Sequence, residues 1–282
     1  MQTATVSTDS TPFWMRPSMV FAAFLAALLG AVPLFSGDSG PVFLLCLAAV
    51  TPAAVVTMFA ARWVAPRGLR AWTPTLLGMT WGAGGAALIA AWGGAWASDV
   101  VVYIDDQNVL REAIPSSWVL TPLVEELAKG VGVLAVLLLA RRSGLGGVLF
   151  GAMVGALVGV GFGWIEDAAA IASDIAANDL GYGIGTWIVR TATAPTHAAF
   201  TIWTGAACGL AMTVRQRSVR PLIALAGFAV ACVAHGAVNH ANLAGFSDQS
   251  SFVAALLTAF GWVALTTVAA ITARLLLTRP RP

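Results

Sequence analysis

The chain has 282 residues, of which 59% are hydrophobic and only 10% are charged, whereas soluble globular proteins carry about 25% charged residues. With a mean hydropathy of +0.84, these values exclude a soluble globular enzyme and predict a multi-pass protein of a cell membrane, with the bacterial inner membrane as the expected location. The net charge of +2 comes from short basic clusters between apolar runs, so the lipid bilayer is the expected partner and nucleic acid is not.

Apolar runs long enough to cross a bilayer recur along the sequence. A transmembrane helix needs about 20 mostly apolar residues. The runs predict an all-α fold with about eight transmembrane helices, at residues 18–36, 42–64, 74–96, 118–140, 147–172, 187–213, 221–243 and 252–275. We expect a single transmembrane domain at 18–276, with its motif-bearing core at about 118–243, between short polar tails at 1–17 and 277–282.

The charges between these runs alternate in sign along the chain. The loop arginines except Arg111 fall on one side of the predicted membrane, and most acidic loop residues fall on the other. The positive-inside rule therefore predicts that both termini are cytoplasmic. The longest connection, about 98–117, is acidic and is expected to be an outward-facing loop.

The most informative stretch is a charged cluster inside the predicted fourth span. Glu125 and Glu126 are adjacent, and Lys129 follows one helical turn later. A charge at mid-bilayer costs about 2.5–3.5 kcal/mol on insertion scales, so these groups must face protein or trapped water. Lys129 is within reach of either carboxylate, while the two carboxylates point in different directions. We expect one glutamate to be paired with Lys129 and the other to face a cavity.

Four more polar side chains lie in or near the predicted spans five to seven. They are Glu166, His197, His235 and Asn239. At a rise of about 1.5 Å per residue, Glu125, His197 and His235 all fall in the predicted outer half of the bilayer, with Glu166 near its outer edge. This shared depth predicts a single site. Phe162 lies one helical turn before Glu166 and shares its face.

Other features of these spans have simpler interpretations. Arg190 is expected to extend outward or to pair with Asp174 or Asp179, and Asp167 to lie at the aqueous end of span five. Pro195 is expected to kink span six. Glycines recur at every fourth residue of span five and predict close packing against another helix. These glycines are Gly147, Gly151, Gly155, Gly159 and Gly163.

Glutamate, histidine and asparagine in a wet intramembrane cavity suit hydrolysis of a peptide bond. A carboxylate desolvated by apolar walls can take a proton from water, and an asparagine amide can donate to the developing oxyanion. Alternatively, His197, His235 and a glutamate are suitable ligands for Zn²⁺, with water in the fourth position. The residues leave both mechanisms open, with zinc or without it.

The motifs resemble those of the PrsW family of intramembrane proteases. Glu125-Glu126-Leu-Ala-Lys129 is similar to the family's EExxK motif, and Phe162-Gly-Trp-Ile-Glu166 is similar to its FxxxE motif. His197 and the segment from His235 to Asn239 resemble its histidine-bearing segments. The wider superfamily contains the CAAX-type prenyl endopeptidases. Asp167 departs from the pattern, because asparagine is expected after the glutamate.

The resemblance implies an intramembrane endopeptidase, either of the glutamic type or a metalloprotease. Its substrate would be a single-span membrane protein such as an anti-sigma factor, cut near the outer leaflet in a site-1-type step of a signalling cascade. Glu125 is the predicted general base, and Glu126 with Lys129 is predicted to position it; the roles of the two glutamates could be exchanged. His235 and His197 are predicted to bind water or a metal, and Asn239 to stabilise the oxyanion. Glu166 is predicted to be a second carboxylate or ligand, and Phe162 to support the site. The predicted metal ligands are His197, His235 and Glu166.

Two other classes of protein compete with this interpretation. A non-catalytic scaffold subunit of a membrane complex would use the same polar residues for assembly. A proton-coupled transporter would use the buried carboxylates, but it would also need polar groups in the inner half of the membrane, and few are found there.

Overall fold

A computed structural model of the protein describes residues 40–100, 102–104, 110–112, 114, 116–245 and 249–279. The predicted first span at 18–36 and the predicted polar tail at 1–17 lie outside the described residues. The last three residues of the predicted C-terminal tail lie outside them as well.

The described part of the chain is almost entirely helical. Two π-helical turns, Trp81–Ala86 and Ser116–Leu120, join or precede longer helices, and two short 3₁₀ turns lie at Arg67–Leu69 and Arg217–Val219. The α-helices are α1 (Gly40–Val64), α2 (Trp72–Thr80), α3 (Ala87–Val100), α4 (Thr121–Arg141), α5 (Val148–Ala177), α6 (Leu180–Thr193), α7 (Thr196–Ala211), α8 (Arg220–Gly245) and α9 (Gln249–Leu277).

Five helical segments of the described chain are long and apolar enough to cross a membrane. They are Gly40–Val64, Trp72–Gly94, Val148–Ala177, Arg217–Asn242 and Ser250–Leu277. A multi-pass membrane protein is thereby confirmed, while the number eight and the orientation of the termini stay predictions. Helix α4 is also 21 residues long; its three ionisable residues are buried inside the bundle, while its exposed face carries leucines and a valine.

Helix α5 lies at the centre of the bundle. It packs against α1 on one side and α7 on another, and most of its residues are buried. A Cβ atom added at Gly155 would collide with the carbonyl oxygen of Thr201, and one added at Gly159 would collide with that of His197. The predicted glycine stripe is therefore confirmed at Gly151, Gly155 and Gly159 as the surface on which the α5 and α7 backbones meet, whereas Gly147 precedes the helix and Gly163 faces the His197 side chain.

The predicted sixth span is wrong as a continuous helix. The chain forms α6 up to Thr193, and a new helix, α7, begins at Thr196 after Pro195. Proline has no N–H to donate and its ring clashes with the preceding turn, so a helix ends readily at this point. His197 is consequently the second residue of a helix instead of a residue within one.

The long connection after α3 contains a small antiparallel hairpin, which the all-α prediction lacked. Strand β1 (Val102–Ile104) pairs with β2 (Leu110–Glu112), with Tyr103 opposite Arg111. Chain order then leads through the turn Ser116–Leu120 into α4, so the hairpin directly precedes the helix that carries the paired glutamates.

Candidate active site

The polar residues of α4, α5, α7 and α8 converge on one buried cluster. Lys129 and Glu126 are fully buried, and Glu125, His197 and His235 are each less than a tenth exposed. The single site predicted from the depth of these residues is therefore present as a set of direct contacts.

Lys129 is the hub of this cluster. Its Nζ atom lies 2.8 Å from Oε1 of Glu126, 3.2 Å from Oε2 of Glu125 and 3.2 Å from Nδ1 of His197. It also lies 3.7 Å from the centre of the Phe162 ring, where the negative face of the ring attracts a cation. The three donors of an ammonium group are thus all directed to acceptors.

The two adjacent glutamates have different surroundings. Glu126 accepts from Lys129, lies 3.1 Å from Nδ1 of His235 through Oε1, and accepts from the hydroxyl of Thr201 at 3.0 Å through Oε2. Glu125 has Lys129 as its charged partner, and its Oε2 lies 3.7 Å from Nε2 of His235. Glu126 is therefore held by several donors, while Glu125 is the less constrained carboxylate.

The two histidines lie side by side near the surface of a cavity. Their ring centres are 5.2 Å apart and the rings are nearly perpendicular. His235 is stacked on Phe200, with ring centres 4.7 Å apart. The contact between His235 Nδ1 and Glu126 is of the kind that orients a metal-binding or acid–base histidine and leaves Nε2 free.

Glu166 joins the cluster from the outer part of α5. Its Oε2 lies 2.9 Å from Nε2 of His197, and its Oε1 accepts from Arg190 at 3.1 Å. Arg190 also donates to Oδ1 of Asp167 at 3.2 Å. The expected pairing of Arg190 with Asp174 or Asp179 is wrong, because α6 ends beside the site and directs Arg190 inward. Asp167 is likewise buried instead of lying at an aqueous helix end.

Asn239 lies one turn beyond His235 and holds the start of α4. Its Nδ2 donates to the carbonyl oxygen of Ser117 at 3.1 Å. The amide nitrogen has a second hydrogen, and Asn239 also lines the cavity. The oxyanion role predicted for it stays a prediction.

A cavity of about 900 Å³ reaches the cluster. Glu166, His197, His235 and Asn239 form its inner end. One wall of the cavity is formed by α6 and the other by α8 and α9. Helix α6 packs mainly against α5 and α1 rather than against α8 or α9, which leaves the cavity between them. The far end carries Asp174 and Asp179, so the cavity changes from a charged inner end, through mainly apolar walls, to an acidic mouth.

Three donor residues are close enough to share a metal ion. Ligand atoms of Glu125, His197 and His235 all lie within 4.8 Å of one another. The cluster also contains four carboxyl groups and two cations, Lys129 and Arg190, which leaves two unbalanced negative charges when all four carboxyl groups are ionised and the histidines are neutral. A divalent cation would balance them, so both the donors and the charge fit such an ion.

Sequence reasoning missed three contributors to the site. Thr201 is one helical turn beyond His197, and that spacing was an available signal. The side chain of Arg190 was expected to extend outward because the helix break after Thr193 was not predicted. Trp81 donates through Nε1 to the carbonyl oxygen of Ala128 at 2.8 Å, and no local pattern indicates this contact between distant helices.

A multi-pass helical bundle that buries paired glutamates, histidines and a lysine beside a cavity has the groups that a membrane-embedded hydrolase needs. The chain belongs to the PrsW family of intramembrane metalloproteases, whose family model matches residues 70–271. No curated protein and no solved structure matches the chain significantly. The family assignment made from the motifs is confirmed, and the protein is an intramembrane protease.

Proposed function

We propose that this protease hydrolyses a peptide bond of a single-span membrane protein, using a water molecule that is deprotonated by Glu125. The observation that carries the proposal is the buried cluster of Glu125, His197 and His235, whose two histidines line a large cavity. A scaffold needs buried polar contacts but has no need for such a cavity leading to them.

Glu125 is proposed as the general base because it has fewer partners than its neighbour. Glu126 is engaged by Lys129, His235 and Thr201, so its lone pairs are largely committed. Glu125 has one charged partner and is 7% exposed, against 0% for Glu126. Glu126 and Lys129 then act as positioning residues that fix the base and the His235 ring.

The remaining residues of the cluster surround the reacting carbonyl in this proposal. His235 presents Nε2 toward the region of Glu125, where it holds the water or gives a proton to the leaving amine. Asn239 offers its second amide hydrogen to the developing oxyanion. Glu166 fixes the His197 ring and is itself fixed by Arg190.

In the alternative metal-dependent mechanism, Glu125 would be a ligand instead of the free base, together with His197 and His235 and with Glu166 next to them. When bound there, a divalent ion supplies Lewis acidity, which acidifies water and polarises a carbonyl group. In the contacts as they stand, Lys129 donates to Nδ1 of His197, so the proton of the neutral ring is on Nε2. His197 could bind an ion through Nε2 only after Lys129 moves away from Nδ1 and the ring proton shifts to that nitrogen.

The shape of the cavity supports a membrane-spanning substrate. Its walls are separate helices, α6 on one side and α8 with α9 on the other, so a substrate segment can approach between them from the lipid. Its acidic mouth agrees with cleavage near the outer leaflet, since acidic loops are predicted on that side. Site-1-type cleavage of an anti-sigma factor is the corresponding substrate hypothesis, and it rests on the family resemblance.

The test is cleavage of a membrane-anchored single-span reporter by the purified full chain in liposomes. Glu125→Gln and His235→Ala are expected to abolish cleavage. His240→Ala is the matched histidine control, because His240 contacts Trp118 and lies outside the cluster. Full activity in both cluster variants would exclude the catalytic assignment, and a wild-type chain that cleaves no reporter would favour the scaffold alternative.

The role of a metal is tested on the same preparation. Elemental analysis is expected to find about one divalent ion per chain, and the content should fall in His235→Ala but not in His240→Ala. Activity that survives complete chelation, with no metal detected, would support the glutamic mechanism instead.

A further inference from the structure

Two arginine side chains converge on one carbonyl oxygen away from the active site. Nε of Arg70 lies 2.7 Å and Nη1 of Arg274 lies 2.9 Å from the oxygen of Ala65, just after the end of α1. Both guanidinium groups are therefore within a few ångströms of each other. Two cations at this distance repel each other, and a nearby anion would offset that repulsion.

No described carboxylate supplies that anion. The neighbouring arginines are Arg62, which donates to the carbonyl oxygen of Arg70 at 2.8 Å, and Arg67. None of these four arginines forms an ion pair with a carboxylate in the described residues. Partial burial and the charges of Arg274, Arg67 and Arg62 lower the pKa of Arg70, as expected for a cation held among cations.

An apolar groove begins at the same place. It has a volume of about 290 Å³ and runs between α1 and α9. Trp63 and Ile271 line it at the arginine end, while Pro195 and Ala198 of α7 line it further in. Trp63 links the two features, because the guanidinium group of Arg274 lies 4.2 Å from the centre of its ring.

We propose that this groove is a binding site for one anionic phospholipid, with an acyl chain between α1 and α9 and its phosphate at Arg274 and Arg70. Arg70 donates through Nε to Ala65 and through Nη2 to Trp63, so it contributes mainly its charge. Arg274 donates to Ala65 through Nη1, and its Nε and Nη2 edge matches the oxygens of a phosphate group. The groove offers an apolar surface of the kind that a fatty chain covers. The arginines lie at the end predicted to be cytoplasmic, where membranes carry anionic lipids. The site is separate from the catalytic cluster and reaches α7 next to His197.

The test measures which lipid is retained by the full chain. The protein is reconstituted in vesicles of equal phosphatidylglycerol and phosphatidylcholine, extracted in mild detergent, and its bound lipid is quantified by native mass spectrometry. The wild type is expected to retain phosphatidylglycerol over phosphatidylcholine at least five-fold. Arg274→Gln should remove this preference, and Arg274→Lys, which keeps the charge without the fork, should reduce it partly.

Matched controls separate the site from general surface charge. Arg279→Gln removes an exposed arginine of the same chain end and should leave the preference unchanged. Thr267→Phe fills the groove and should lower retention, whereas Val268→Phe, at an exposed position that does not line the groove, should not. Equal retention in wild type and Arg274→Gln would overturn the proposal.

A last arm distinguishes a lipid from a free phosphate ion. Inorganic phosphate and glycerol phosphate, added in millimolar excess, are expected not to displace the retained phosphatidylglycerol. Displacement by either compound would mean that the arginines bind a soluble phosphate and that the groove has no acyl chain. Neither result depends on proteolytic activity.

Discussion

Lys129 and His197 are 68 positions apart in the chain, yet Nζ of the lysine lies 3.2 Å from Nδ1 of the histidine. Two positive charges would repel at this distance, and an ammonium group offers only donors. The contact therefore defines a neutral histidine whose Nδ1 accepts and whose proton lies on Nε2, beside Glu166. Lys129 is the sole lysine of the sequence. It offsets the charge of Glu125 and Glu126 and also determines which nitrogen of His197 carries the proton.

Replacing this lysine should destabilise the protein strongly. Lys129→Met leaves Glu125 and Glu126 buried without their shared cation, and removing one partner of a buried ion pair costs about 3–5 kcal/mol. Thermal unfolding in detergent should show a much lower midpoint. The double variant Lys129→Met/Glu126→Gln should recover part of the stability while remaining inactive, and an unchanged midpoint in the single variant would contradict the hub role.

The two glutamates should respond differently to neutral replacement. Glu126→Gln weakens the contacts with Lys129, His235 and Thr201, and its free energy of unfolding should fall by about 1–3 kcal/mol. Glu125→Gln should change stability by less than about 1 kcal/mol but lower the cleavage rate by about 10²-fold or more, as loss of a general base does. Paired unfolding and reporter assays measure both quantities. The reverse pattern would make Glu126 the base.

Arg190 should matter through the two carboxylates that it holds. Arg190→Gln leaves Glu166 and Asp167 adjacent and without this cation, and because Arg190 and Glu166 are about a third exposed, we expect a loss of stability of about 1–3 kcal/mol. Adding Asp167→Asn removes one of the two negative charges and should restore much of that loss. If the double variant is no more stable than the single variant, repulsion between the two carboxylates is not the reason for the effect.

The contact between α5 and α7 should tolerate no added methyl group. Gly159→Ala directs a Cβ atom into the carbonyl of His197, and overpacking of this kind costs about 1–3 kcal/mol. The displaced histidine should also reduce cleavage. Gly146→Ala is the control, because a Cβ atom there meets nothing within 4 Å, and its unfolding midpoint should match that of the wild type.

Filling the cavity should block the substrate without touching the catalytic groups. Gly185 lines the α6 wall, and a Cβ atom added there meets nothing within 4 Å, so Gly185→Phe should fold normally and place its ring in the cavity. We expect cleavage of a single-span reporter to fall at least ten-fold with unchanged metal content. Gly261→Phe, at another open glycine that lines a different groove, should retain activity, and equal activity in both variants would exclude this route.

Much of the site was predictable because membrane chemistry makes buried charge conspicuous. Glu125, Glu126 and Lys129 are costly in lipid, and helical periodicity then places Lys129 against both carboxylates. Depth along each span was enough to bring His197 and His235 to the same level. The prediction that residues on different helices face one another rested on that shared depth.

The unpredicted parts depend on where the backbone stops being regular. Pro195 was expected to kink a helix, but hydrophobic periodicity continues through it and hides a complete break. Arg190 was consequently assigned to the wrong partners. The hydrogen bond from Trp81 to Ala128 and the contact of Thr201 with Glu126 depend on how helices rotate against each other, which packing decides and a local pattern does not.

The break at Pro195 has a consequence for how such an enzyme diversifies. The cavity lining at Gly181, Gly185 and Val189 belongs to α6, whereas His197 belongs to α7. Substitutions at these three positions are therefore expected to change which segments fit the cavity without moving His197. Arg190, which donates to Glu166, is the α6 residue to retain when the helix is redesigned for a new target.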